Sequence, residues 1–106
     1  MFGYARTSLD RISAALRKTL PDQIVSVTAF GSRVRGDHTG ESDFDVLVLV
    51  KDRNPGIEDR IMDIFVDEEM HSGVSFDPII KTSDSFELEK RYKTPFYENV
   101  MNEGVG

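Results

Sequence analysis

Residues 44–50, Phe-Asp-Val-Leu-Val-Leu-Val, constrain the fold more than any other stretch. Apolar residues occupy both parities of the run, so neither face of the strand it predicts can be left to water. A strand buried on both faces needs covering elements on each side. The flanking sequence supplies them. Leu9, Ile12, Leu16 and Leu20 recur at spacings of three and four and predict an amphipathic helix over 8–20, capped by Thr7 or Ser8 and stopped by Pro21. Residues 23–30 are rich in β-branched and apolar side chains and predict a strand.

Beyond the central run, residues 51–56 read as a loop. Residues 57–71 predict a helix with Ile57, Ile61, Ile64 and Phe65 on one side, halted at Ser72-Gly73. Residues 74–81 predict a third strand. Pro78 lacks an N–H, which places that strand at a sheet edge or puts a bulge in it. Asp84 with Glu87 predicts a capped helix over 85–92, and Thr94-Pro95 starts another that ends at Gly104. The order is helix, strand, strand, helix, strand, helix, helix. It predicts one α/β (α+β) domain over 1–106, a small mixed sheet flanked by helices.

Composition narrows the function. The net charge is −6, which disfavours a protein that binds nucleic acid through its backbone. No apolar run approaches the ~18 residues needed to span a bilayer. Hydrophobic residues are 39% and charged residues 30%, as in a water-soluble globular protein. Cysteine is absent, which excludes disulfides and thiolate metal sites and fits a cytoplasmic setting.

Three segments carry chemistry. Asp43 and Asp45 are two apart at the entry of the central strand, so their side chains share a face. Two carboxylates that close resist joint ionisation unless a positive charge, such as a hard divalent cation, sits between them. Paired turn or capping carboxylates are the other reading. Gly31-Ser32 ends the preceding strand with bare backbone N–H groups and a hydroxyl, a turn that can cradle phosphate or simply reverse the chain. It is not a Walker loop, because Asp37-His38 stand where that loop needs its lysine and hydroxyl. Asp77 interrupts an apolar strand and needs a partner, either a metal or an arginine such as Arg33 or Arg35. His38 and His71 read as surface residues, since a hard cation prefers oxygen.

Taken together, GSRVRGDHTGESDFDVLV followed by Asp77 in VSFDPII resembles the minimal nucleotidyltransferases of the DNA polymerase beta superfamily. The closing PFYENVMNEGV is similar to that family's C-terminal helix. The resemblance implies a twisted mixed sheet flanked by helices, the polymerase beta-like nucleotidyltransferase fold. It also implies two Mg2+ ions and transfer of a nucleoside monophosphate, here AMP from ATP. Gly31, Ser32 and Arg35 would bind the triphosphate. Asp43, Asp45 and Asp77 would be the catalytic metal ligands, with Asp77 serving the acceptor hydroxyl. A strand tilted at Pro78 would take Asp77 away from the metals and leave metal and nucleotide binding with little catalysis. The implied acceptor is a hydroxyl of a helical HEPN-type partner, with this chain the antitoxin of a toxin–antitoxin pair. Neutralisation of a partner by contact alone and transfer to a small molecule such as an aminoglycoside are the alternatives.

Overall fold

The computed structural model describes residues 3–30 and 44–104. They form a three-stranded sheet and four helices: α1 (Gly3–Thr19), β1 (Ile24–Phe30), β2 (Phe44–Val50), α2 (Pro55–Ser72), β3 (Phe76–Thr82), α3 (Ser83–Tyr92) and α4 (Pro95–Glu103). The expected mixed α/β architecture and element order are both present.

The sheet order is β1-β2-β3, with β1 antiparallel and β3 parallel to the central β2. A parallel neighbour needs a crossover, and α2 is that crossover. Along β2, Phe44, Val46, Val48 and Val50 are fully buried on one face, and Leu47 (1% exposed) and Leu49 (9%) on the other. The strand is buried on both sides, as its composition requires.

One side of the sheet is covered by α1 and α2. Ala5, Leu9, Ile12, Leu16 and Leu20 meet Val27 and Ala29 of β1, the even-numbered residues of β2, and Ile61 and Phe65 of α2. Phe76 packs there against Phe44 and Phe65, with ring centroids 5.6 and 6.4 Å away, tilted to the first and edge-on to the second. The other side is thinner. Phe30, Leu47, Leu49 and Val100 are buried, with Ile79, Phe86 and Phe96 packed against them. Burial of each large apolar side chain contributes about 1.5–3 kcal/mol, so most of the folding energy resides on the α1/α2 side.

Several boundaries differ from expectation. Helix α1 starts at Gly3, not at Thr7 or Ser8. Ala5 lies one turn before Leu9 and is fully buried, which extends the apolar stripe toward the N-terminus. Thr7 is inside the helix and donates its hydroxyl to the Gly3 carbonyl at 3.0 Å. Helix α2 begins within the expected loop. The Asn54 side chain caps it, accepting from the Ile57 N–H at 3.0 Å, and Pro55 takes the first turn. Gly73 ends it at φ 77°, a left-handed conformation that suits glycine. Thr82 caps α3, accepting from Ser85 N–H at 3.1 Å, so Asp84 falls in the first turn and is not the cap.

Pro78 sits on an edge strand, and the ladder is unbroken from Phe44↔Phe76 to Val50↔Thr82. The Phe44 N–H donates to the Ser75 carbonyl. Backbone groups alternate sides along a strand, so 75, 77, 79 and 81 face β2 while 76, 78 and 80 face the open edge. The missing proline N–H therefore falls where no ladder bond is due, and no bulge forms.

Candidate active site

Strands β2 and β3 run parallel, so their N-terminal ends lie together, beside the C-terminal end of antiparallel β1. Three chain segments meet at this end of the sheet. Asp45 is the second residue of β2 and Asp77 the second of β3, and they are register partners. Neighbouring strands are about 4.8 Å apart, and both side chains leave the same face, so the two carboxyls project side by side. Asp45 is half-buried, while Asp77 on the edge strand is exposed. On its other side Asp45 is paired with Phe30, the last residue of β1. Strand β1 thus ends directly beside Asp45, one residue before Gly31 in the sequence.

The face that carries the aspartates is the thinner one. Farther along the strands it holds Leu47, Leu49 and Ile79 under Phe86, Phe96 and Val100. Phe96, in the first turn of α4, meets the edge of Phe30 at 5.4 Å and 87°. The aromatic pair fixes the end of β1. The sequence gives no signal for it, because Phe30 and Phe96 are far apart in the chain.

A second unforeseen group braces the same side. The Lys81 ammonium lies 2.6 Å from a Glu89 carboxylate oxygen and 4.7 Å from the centre of the Phe96 ring. The Thr94 hydroxyl donates to Glu89 at 2.9 Å and also caps α4, accepting from Tyr97 N–H. Burial pushes the Glu89 carboxyl upward, but the bonds from Lys81 and Thr94 and the ammonium charge outweigh it and hold it below the usual carboxylate range. Lys81 shares the face of Asp77 but is committed to this brace.

Glu68, on α2, is a buried acid with a structural role. It is 8% exposed and accepts from Arg11 Nη2 at 2.7 Å and Nε at 3.0 Å. That fork lowers the Glu68 carboxyl against the upward push of burial, with Ser72 and Ser8 hydroxyls assisting, and raises the Arg11 guanidinium. The partners are far apart in sequence, so no motif announces them.

Of the expected site residues, the fold brings Asp45 and Asp77 together. Gly31, Ser32, Arg33, Arg35, His38 and Asp43 lie outside the described residues. Asp43 directly precedes β2, two positions before Asp45. His71 is exposed, as expected. No group of three or more His, Cys, Asp or Glu side chains suited to a metal occurs among the described residues. Adjacent carboxylates on one face still offer the oxygen donors that a hard cation takes, so the described part of the set fits Mg2+.

Register-paired carboxylates on neighbouring parallel strands of a small mixed α/β sheet fit a fold of the nucleotidyltransferase class. Comparison with known proteins agrees. Residues 9–104 match the family model of the nucleotidyltransferase domain, so the chain belongs to that family and is a transferase. Two proteins of Methanocaldococcus jannaschii, each named as a proposed protein adenylyltransferase, are similar. MJ0141 is 36% identical over 88 residues, 81% of either chain. MJ0604 is 32% identical over 90 residues, 85% of this chain and 84% of its own. The solved structure of a proposed minimal nucleotidyltransferase superposes with a TM-score of 0.57 at 26% identity, covering 95% of this chain and 93% of the other. Among the described residues no helix is long and apolar enough to cross a membrane.

Proposed function

We propose that this chain transfers AMP from ATP to a hydroxyl of a partner protein, in a Mg2+-dependent reaction at Asp43, Asp45 and Asp77. The observation that carries the proposal is the register pairing of Asp45 with Asp77 on a nucleotidyltransferase fold. The names of the two archaeal relatives favour a protein acceptor over a small molecule.

In the reaction the acceptor oxygen attacks the α-phosphorus in line. A new P–O bond forms, the bond to the bridging oxygen breaks, and pyrophosphate leaves. Asp77, exposed on the edge strand, is open to an incoming hydroxyl and takes its proton. Asp45, half-buried beside Phe30, is held more rigidly and fixes the depth of the site. Asp43, Asp45 and Asp77 are the residues to hold Mg2+, two ions by family resemblance, which when bound neutralise charge on the entering and leaving oxygens. Gly31, Ser32 and Arg35 are assigned to the triphosphate by that resemblance. A cysteine-free, acidic chain suits the cytoplasm. The partner class that fits by resemblance is a helical HEPN-type toxin, with this chain as its antitoxin.

The test is incubation of the purified chain with ATP, Mg2+ and the product of a neighbouring gene, followed by intact-mass measurement. A nucleotide-sized gain on the partner is expected. Asp45→Asn and Asp77→Asn should each slow it at least about 10³-fold. An unmodified partner held in a stable complex would falsify catalysis and leave neutralisation by contact.

A further inference from the structure

Met62, Val66 and Met70 recur every fourth residue and form one stripe on the outer side of α2. Their exposures are 43%, 50% and 82%. Beside the stripe runs a shallow groove lined by Met62, Phe65, Val66, Glu69, Phe76 and Pro78. It passes from the helix onto the open edge of β3, and its two strand residues flank Asp77 in sequence. The stripe's helical neighbours Asp59, Asp63 and Glu69 are acidic and exposed. The surface is therefore apolar along its centre and negative at its rim, and it reaches the β3 edge on the α1/α2 side of the sheet, across the strand from the Asp77 carboxyl.

We propose that this face of α2 docks a basic amphipathic helix of the protein acceptor, with leucine-type residues on the stripe and lysine or arginine over the rim. The proposal rests on the protein-acceptor reading above and names a surface that holds the acceptor protein beside the β3 edge. Charge selects the occupant. A second copy of the chain would set Asp59, Asp63 and Glu69 against acids of its own kind, and anionic lipid would be repelled likewise. Strand addition is blunted, because Pro78 removes a donor from the middle of the open edge. A helix laid on the groove needs no edge donor, and methionines adapt to its side chains.

The test titrates the isotope-labelled full chain with a synthetic Leu/Lys amphipathic helical peptide, followed by amide NMR. A Leu/Glu peptide of the same pattern is the control. Shifts should centre on residues 59–70 and 76–80. Met62→Ser/Val66→Ser should weaken binding about tenfold or more, as loss of two central apolar contacts predicts. Leu88→Ser, which removes an exposed leucine on α3, should leave affinity unchanged. Equal binding of the Leu/Glu peptide, shifts centred on another helix, or unchanged affinity in the double variant overturns the proposal. So does a self-association in sedimentation that Met62→Ser/Val66→Ser abolishes, since a second copy would then own the face. Mn2+ broadening at Asp45 and Asp77, recorded on the same sample, reports separately on the metal reading. Its absence with intact docking sinks the catalytic reading alone, and its presence without docking sinks only this one.

Discussion

The two sides of the sheet do different work. Among the described residues, the α1/α2 side holds sixteen buried residues in one cluster and the α3/α4 side four. Helix α3 has no buried residue at all. Yet the Asp45–Asp77 pair lies on the thin side. On the proposed function, carboxylates that meet nucleotide and acceptor need an uncrowded face, while the opposite layer supplies the stability that lets them stand together. The acids divide in the same way. Glu68 on the thick side is buried and bound to Arg11, while Asp45 and Asp77 are register partners at the end of the strands.

The sharpest way to break this division is to empty a position on each side. Phe44→Ala, in the thick core between Phe76 and the helices, should cost about 3–5 kcal/mol in urea unfolding. Val100→Ala on the thin side should cost about 1–2 kcal/mol. Equal losses would mean that the α3/α4 layer carries as much of the fold as the other.

Glu68→Gln tests whether the buried acid is structural. It should lower Tm by roughly 4–8 °C while leaving nucleotidyl transfer intact. The sign with pH follows from the lowered carboxyl. The unfolded chain binds that proton more readily than the folded one, so the stabilisation is fully present above the ordinary 4.5 and is lost as pH falls through the depressed folded value. Arg11 stays charged throughout this window. In Glu68→Gln the acid limb of a stability-against-pH curve should flatten.

The smallest expected effect is local. Thr94→Ala removes the α4 cap and the bond to Glu89, and should cost about 1 kcal/mol. Hydrogen exchange should quicken in α3 and α4 and stay unchanged in α1. Spread of the effect into α1 would show that the two layers are one cooperative unit.

The sequence was informative wherever a pattern is local. The β2 run matched its strand at both ends, because an unbroken apolar stretch between polar flanks leaves no other boundary. Thr94-Pro95 and Gly73 marked helix ends correctly, since cap chemistry acts within a few residues. The misses involve either competing local signals or distant partners. Asp84 is a good cap by type, but Thr82 stood two residues earlier at the end of the strand and took the role. Glu68 gave no sign of burial, because its partner Arg11 is on another helix. Pro78 left a choice between edge and bulge that only the ladder alternation decides. Asp45 and Asp77 could be nominated singly, and their adjacency became visible with the strand register. Gly31, Ser32, Arg35 and Asp43 keep their sequence-based assignment.

The parallel pairing of β2 with β3 has a consequence for how the chain folds. Half of the Asp45–Asp77 pair arrives with the first two strands, and the other half only after the α2 crossover has closed and a non-local contact has formed. A cation that recognises both acids would have no purchase on the unfolded chain or on a β1–β2 intermediate. Its binding would pull the last step of folding forward by mass action. Ion affinity would then report the completeness of the fold, and a chain stalled before that step would have no phosphoryl-transfer chemistry to misdirect.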